Sequence, residues 1–358
     1  MTLLPANPTP AELGYSMPAE WEPHEATWLG WPHNATDWPG KIEAIHWVYG
    51  EIARRIAPGE KLYIFVHSPA IERKARNVLR SVGVPLARVK FFRISTNRGW
   101  TRDSGPITLV RSRPRRDRAV IQFHFNGWAR YSDWRKDART AEFAARKLRL
   151  PILRARWNGK PFVLEGGAID VNGCGSLLTT EECLLDQKRQ ARNPGMSKQE
   201  VEAALREFLG VRNILWLGRG IAGDDTHGHV DDLCRFVNPR TVVLGRERNS
   251  RDANYRALQE NRERLQSMKL EDGSRIQVVD LPMPAPLIFR GQRLPASYAN
   301  FYFANSALLV PTFNDYFDAK AIGVLSEVIT DRPVVGIHAV DLVWGLGTLH
   351  CMTQQFPI

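Results

Sequence analysis

Gly223-Asp224-Asp225-Thr226-His227-Gly228-His229-Val230-Asp231-Asp232 sets four carboxylates and two imidazoles within nine residues and runs straight into the apolar segment Leu233 to Val237. Like charges at this spacing repel, and a carboxylate against a strand loses hydration, so such crowding persists where a cation, a metal or a proton transfer offsets its cost. With Val230 turned into the core of a strand, His229 and Asp231 would share the opposite face. An imidazole beside a carboxylate is a minimal device for moving a proton while holding a positive group. A solvated turn before a strand is the plainer alternative at this point.

On either side of this stretch the pattern repeats. Helical periodicity over Glu43 to Ile56 and Ala70 to Val82 brackets an apolar strand, Leu62 to Val66, and a further strand follows at Val89 to Ile94. Ile107 to Val110 and Ala119 to Phe125 read as a hairpin, a helix is expected from Arg135 to Leu148, and Phe162 to Leu164 reads as a strand. Asn172-Gly173 turns Ala168 to Val171 into Ser176 to Thr179, and Ser197 with Glu200 forms a capping box before Val201 to Leu209. Strand, turn and helix then recur through Ile214 to Leu217, Thr241 to Leu244, Asn254 to Met268, Gln277 to Leu281, Ala307 to Val310, Asp318 to Ile329 and Val334 to Ile337. One unusual polar residue marks each round: Asp103, Glu165, His229, Asn300 and Cys351, at intervals of 62, 64, 71 and 51 residues. Five units, the Trp-rich N-terminal one closing against the C-terminal tail, would each donate a residue to a shared centre. An ordinary open α/β sheet is the competing arrangement.

The 358 residues, 43% hydrophobic and 24% charged, can bury a large core. No apolar run approaches a membrane span, and Met1 to Tyr15 lacks the basic start and apolar middle of a signal peptide, so a cytoplasmic protein is expected. A net charge of +11 raises nucleic-acid binding. The arginines are dispersed, however, and the densest run, Arg111 to Arg118, reads as an exposed hairpin loop, so no nucleic-acid partner is expected. Cys174, Cys183, Cys234 and Cys351 form no Cys-x-x-Cys pair. Cys351 stands out, near a terminus but among glycine, histidine and amides, with Gly345 and Gly347 allowing a tight bend against a ligand. A thiol beside a cation becomes a nucleophile toward carbon. The other three cysteines are expected to be structural. Trp28 and Trp100 serve either as core or as faces for an organic cation.

Several motifs together resemble a known family: Met17-Pro18-Ala19-Glu20-Trp21-Glu22-Pro23-His24-Glu25, Trp100-Thr101-Arg102-Asp103-Ser104-Gly105-Pro106, Leu164-Glu165-Gly166-Gly167, Leu178 to Leu185, Gly228 to Asp232 and His350-Cys351-Met352-Thr353-Gln354-Gln355. In this order and over nearly the whole chain, they are similar to the agmatine deiminases and the bacterial peptidylarginine deiminases grouped with them. The resemblance implies one catalytic domain over residues 1–358 with the pentein fold, a five-module pseudo-symmetric α/β propeller of the guanidine-modifying superfamily. It implies hydrolysis of a guanidinium carbon without metal or organic cofactor, and a homodimer or higher homo-oligomer. Carried over residue by residue, Cys351 matches the nucleophile, His229 the acid/base, Asp103 and Asp231 the guanidinium-binding carboxylates and Glu165 the carboxylate that orients the histidine.

Two stretches depart from the agmatine deiminase pattern. Gly345-Leu346-Gly347-Thr348 stands where Gly-Gly-Gly-Asn is common, and Trp100-Thr101-Arg102-Asp103-Ser104 replaces Trp-Ala-Arg-Asp-Thr. The catalytic set stays complete, while the part that holds the substrate's tail is open. A small cationic guanidine is the expected substrate, agmatine first and a peptidylarginine second, with Trp28, Trp100 and Gly347 beside it. Glu20, Glu22 and Glu25 are candidates for an electronegative far end. A metal-dependent hydrolase built on His227, His229 and Asp231 is the alternative of a different class.

Overall fold

A computed structural model of the chain describes residues 8–112 and 116–358. The tip of the expected arginine-rich loop, 113–115, and the first seven residues of the N-terminal segment lie outside them. One local pattern is used five times. A strand pairs antiparallel with the next, the chain crosses over through a helix, and a third strand returns parallel to the second, the hand and spacing that a helical crossover allows.

In the second sheet the strands are Ile107–Arg111, Asp117–Gln122 and Ile152–Arg154, with helix Thr140–Leu148 as the crossover. In the third they are Asp170–Val171, Ser176–Thr180 and Asn213–Leu217, crossed by Lys198–Leu209. The fourth uses Cys234–Asn238, Thr241–Arg246 and Gln277–Pro282 with Asn254–Ser267. The fifth uses Tyr302–Phe303, Leu308–Thr312 and Val334–His338 with Asp318–Val328. The first sheet is completed from the far end of the chain: Thr353–Pro357 pairs antiparallel with His24–Gly30, which pairs parallel with Lys61–Val66 and, through it, Val89–Arg93. The tail therefore closes onto the N-terminal unit, as the five-unit reading requires.

Local sequence accounts for the elements. Ser197 accepts from the Glu200 amide and Glu200 returns the bond, the full capping box, and Gly210 ends that helix at φ +66°. The helix expected from Arg135 begins as a 3₁₀ turn at Asp137–Arg139 and becomes α-helical only at Thr140. Phe162 to Leu164 is not a strand: only a single bridge joins Val163 to His124, and Asn193 takes the Val163 backbone bonds through its side chain. No helix among the described residues is long and apolar enough to cross a membrane.

Trp28 is a correction. Its ring is wholly buried and stacks on Phe65 with centroids 4.8 Å apart, with Tyr63, Phe92 and Phe356 around it. Alternation along the strand decides this: Trp28 faces the aromatic side of the first sheet, away from the central turns, so its large apolar area goes to packing rather than to a ligand.

Candidate active site

Each marker residue sits in the short turn that leads into the first strand of its sheet. Asp103 is in the helical turn Thr101–Ser104, Glu165 caps the 3₁₀ turn Gly166–Ala168, His229 caps Val230–Asp232, Asn300 precedes Tyr302–Phe303, and Cys351 lies in Leu349–Met352. The turn at Thr101–Ser104 touches those at Leu349–Met352 and Gly166–Ala168, and the latter touches Val230–Asp232. His229 and Asp231 thus come together through a 3₁₀ turn, not on one face of a strand. Val230 does point into the core, but the backbone stays helical until Leu233.

The assembled groups are buried. His229 Nδ1 lies 3.9 Å from Asp103 Oδ1 and 4.0 Å from Asp231 Oδ1, and its Nε2 lies 3.7 Å from Glu165 Oε2. Cys351 Sγ is 3.8 Å from Asp231 Oδ2 and accepts from Asn300 Nδ2 at 3.2 Å. Neither His229 nitrogen nor Asp231 Oδ1 has a hydrogen-bond partner, although all three atoms are buried. Unpaired buried polar atoms are costly, so His229 Nδ1 and Asp231 Oδ1, 4.0 Å apart, imply that a polar ligand completes them, while Nε2 faces Glu165. Gly167 leaves the room: a Cβ there would stand 2.5 Å from His229 Nδ1 and within 3.1 Å of Asp103 Oδ1 and Asp231 Oδ2.

The charges are set by neighbours. Burial would neutralise His229, but the Asp103 and Glu165 carboxylates hold its pKa well above the ordinary imidazole value. Glu165 stays ionised, its pKa about 2 despite burial, because the fully buried Arg192 guanidinium lies against it with Nε 3.0 Å from Oε1. Burial raises Asp103, against His229 and the Gly167 amide. Asp103 also accepts from Trp128 Nε1 at 2.9 Å and Gly167 N at 2.9 Å, which fixes both oxygens. Burial together with Asp231, Asp232 and Asp103 pushes the Cys351 thiol well above its usual value, and Asn300 works the other way. Burial and the neighbouring Asp231 raise Asp232, which lies beside the sulfur, well above its ordinary value.

A cavity of about 420 Å³ opens over this cluster. Asp103 and Cys351 reach its wall, while His229, Asp231 and Glu165 lie behind it. Trp100 and Trp128 line it together with Asp37, Asp225, Tyr131, Phe289 and Trp344, and so do Arg290 and Arg98, the latter paired with Asp37. Gly347 presses on Trp100 and Cys351, where a Cβ would meet ring and sulfur at 2.9 and 3.1 Å. The tight bend is made by Leu346 at φ +68° rather than by Gly345 or Gly347, whose lack of a side chain serves the close approach of Trp38 and Trp100. Both departures from the family pattern find local partners. Thr348 Oγ1 donates to Asn300 Oδ1 at 2.8 Å, and Thr101 Oγ1 donates to the Gly99 carbonyl at 3.2 Å.

Two further expectations are corrected. Glu20 is buried among Arg102, Arg235 and His350, Glu25 is paired with Arg118, and Glu22 accepts from the Ala19 amide; none of them lines the cavity. The acids that line it besides Asp103 are Asp37 and Asp225, which residue type alone could not place because Asp37 sits in an irregular loop and Asp225 in the crowded turn. The metal set His227, His229 and Asp231 is split, since His227, at φ +68°, turns to Asp186 with Nε2 2.8 Å from Oδ2. Among the described residues, the groups with metal-ligand spacing are Glu165, Cys183 and His229, and Asp231, Asp232 and Cys351. Cys183 thereby stands beside the His229 ring, a placement its helical, apolar surroundings in sequence did not signal. Trp128 and Arg192 were likewise not read as site residues, and Asn300, read as a marker of its unit, was given no chemical role.

Comparisons agree with this geometry. The Porphyromonas-type peptidyl-arginine deiminase family matches over residues 16–357. Agmatine deiminase of Medicago truncatula is 37% identical with 98% of each chain covered, and that of Pseudomonas aeruginosa (strain LESB58) is 34% identical with the same coverage. Among solved structures, agmatine deiminase of Enterococcus faecalis superposes with a TM-score of 0.89 at 29% identity, covering 98% of both chains.

Proposed function

The chain belongs to the Porphyromonas-type peptidyl-arginine deiminase family, with its pentein fold, and on that premise we infer that it is an agmatine deiminase, hydrolysing agmatine to N-carbamoylputrescine and ammonia. The observation that carries the reading is the pair of unpaired atoms, His229 Nδ1 and Asp231 Oδ1, gathered beside Asp103 and Cys351 under a cavity lined by acids.

A planar guanidinium offers N–H donors in forks that match carboxylates, so Asp103 and Asp231 hold it with its carbon facing Cys351 Sγ. Trp100 covers the cation's face. Positive charge placed against Asp103 and Asp231 offsets what keeps the thiol protonated, so the thiol gives up its proton to solvent and the sulfur attacks as thiolate. His229, protonated through Asp103 and Glu165, gives its proton to the departing nitrogen, and ammonia leaves from the tetrahedral adduct. A water then enters, His229 takes one of its protons, hydroxide adds to the S-alkylthiouronium carbon, and the C–S bond breaks to return the thiolate while the added oxygen gives up its remaining proton to solvent, leaving the neutral ureido product. Glu165, held ionised by Arg192, orients the ring through both steps. No cofactor enters this sequence.

The deciding measurement is ammonia release from agmatine, free arginine and a C-terminal arginyl peptide under one condition. Agmatine should give the highest kcat/KM; a higher value for the peptide would favour the peptidylarginine reading and leave the thiol chemistry standing.

Asp37 and Asp225 are assigned to the ammonium end. Burial raises both to about 6, with Arg98 opposing it at Asp37 and the Tyr131 hydroxyl at Asp225. An acid of raised pKa carries its charge only above that value, so the KM for agmatine should rise several-fold as pH falls from 7 to 5. Butylguanidine, which has no ammonium, should show a smaller rise. Equal pH profiles for the two would remove these carboxylates from the tail site.

We treat residues 1–358 as one catalytic domain, because the centre draws on all five units. We place the protein in the cytoplasm, in keeping with four free thiols. A homodimer or larger assembly is proposed, and sedimentation equilibrium giving only the 40.6 kDa monomer would rule it out.

A further inference from the structure

Behind Asp231 runs a second, deeper set of charges that the chemistry above does not use. His350 Nδ1 lies 2.6 Å from Asp231 Oδ2, and His350 Nε2 lies 2.7 Å from Glu20 Oε2. Glu20 also accepts from Arg102 Nη2 at 2.9 Å and is ion-paired with Arg235, whose Nη2 lies 3.1 Å from Oε1 and whose Nε lies 3.2 Å from Asp170 Oδ1. Every member of the set is at least 94% buried. With a carboxylate on each ring nitrogen, the imidazole satisfies both only by donating from both.

From this geometry we propose that His350 is a positioning residue for the guanidinium site: it takes up Asp231 Oδ2, the oxygen that also faces Cys351 Sγ at 3.8 Å, so that Oδ1, 4.0 Å from His229 Nδ1, is left free for the substrate. The two oxygens of Asp231 differ just as this requires. Oδ2 has the short contact to His350 and a longer one to Cys351 Sγ, whereas Oδ1 has no hydrogen-bond partner among the described residues. A free carboxylate would turn about its terminal torsion, which is broad and nearly two-fold. A charge-assisted bond to a ring packed beside the nucleophile stops that turn, and Glu20, clamped by Arg102 and Arg235, stops the ring. Sequence neighbours thereby divide the labour: Cys351 attacks, and His350 orients the anion that holds what is attacked. Burial works against ionisation of Asp231, yet His350 holds its pKa below the usual value, in keeping with this arrangement.

The proposal rests on the deiminase reading, but one probe separates them. 2-Chloroacetamidine carries an amidinium that needs Asp231, and iodoacetamide is neutral; both alkylate Cys351. The ratio of their inactivation rates therefore reports the anion site whichever guanidine is the substrate. In His350→Asn the amide nitrogen stands near the place of Nδ1 and keeps the Asp231 bond. In His350→Gln it stands near Nε2 and keeps only the Glu20 bond. Folding is followed by circular dichroism. The Asn variant should retain the wild-type preference for the amidine within about threefold, while the Gln variant should lose at least about tenfold of it, with the agmatine KM rising more than kcat falls. Equal preference in both variants, or the reverse order, overturns the proposal, because a purely structural histidine would not distinguish its two nitrogens. If the Gln variant does not fold, the Asn variant decides alone: loss of its amidine preference refutes the proposal. A wild-type protein that prefers the amidine yet releases no ammonia from agmatine would instead refute the substrate assignment.

Discussion

Cys351→Ser is expected to lower turnover of agmatine by at least about a hundredfold while the protein stays folded, and His229→Ala to do the same. Among the described residues the thiol is the only sulfur at the cavity wall, and replacing sulfur by oxygen changes little in packing. What changes is the acid strength demanded. Burial, Asp231, Asp232 and Asp103 already hold the thiol well above its usual value, so a hydroxyl in the same field would not ionise even with a guanidinium in place. For His229 the loss is of the proton donor, and the neighbouring Asp103, Asp231 and Glu165 would be left without the cation that offsets them. The free protein should also react with iodoacetamide at Cys351 slowly near neutral pH and faster as pH rises, because thiolate appears only above the raised pKa. Turnover of Cys351→Ser within tenfold of wild type would sink the nucleophile assignment, and a pH-independent alkylation rate would sink the account of its charge.

The five-fold pattern was legible because it is written locally: hairpin turns, a capping box and apolar runs of strand or helix length recur in the same order. Closure by Thr353–Pro357 on His24–Gly30 matches the count of five units, in which the Trp-rich N-terminal one closes against the C-terminal tail. Asp103, Glu165, His229, Asp231 and Cys351 were visible as isolated polar residues at the mouths of strands. Trp28 was misjudged because tryptophan suits a core and a cation equally, and only the facing of one strand separates the two. The acids expected at the substrate's far end failed differently. Glu20 and Glu25 are consumed by arginines far along the chain, Arg102, Arg235 and Arg118, and no periodicity reports such pairs. For the same reason Arg192 and His350, which set the charge and direction of Glu165 and Asp231, looked like ordinary polar residues until the units were brought together.

Gly167→Ala is expected to abolish activity almost as fully as loss of the thiol, without removing any group that reacts. Gly167 lies outside the left-handed region, so alanine meets no backbone strain there. The cost is space. Its Cβ would stand 2.5 Å from His229 Nδ1, 3.0 Å from Asp103 Oδ1 and 3.1 Å from Asp231 Oδ2. None of the three yields readily: Asp103 is held by Trp128 and by the Gly167 amide itself, Asp231 by His350, and the wholly buried His229 ring by the carboxylates around it. Relief by shifting the ring moves Nδ1 from the carboxylates that keep it protonated. If the ring stays put, the methyl fills the place where the guanidinium nitrogens bind. Either way kcat/KM for agmatine should fall by at least about a hundredfold, with an overpacking cost of about 1–3 kcal/mol in stability. Gly323→Ala, in an exposed helix where a Cβ meets nothing within 4 Å, is the control and should leave activity unchanged while adding a few tenths to about 1 kcal/mol. A folded Gly167→Ala protein with near-normal kcat/KM would show that the guanidinium does not enter between His229, Asp103 and Asp231, and the binding geometry proposed for it would have to be abandoned.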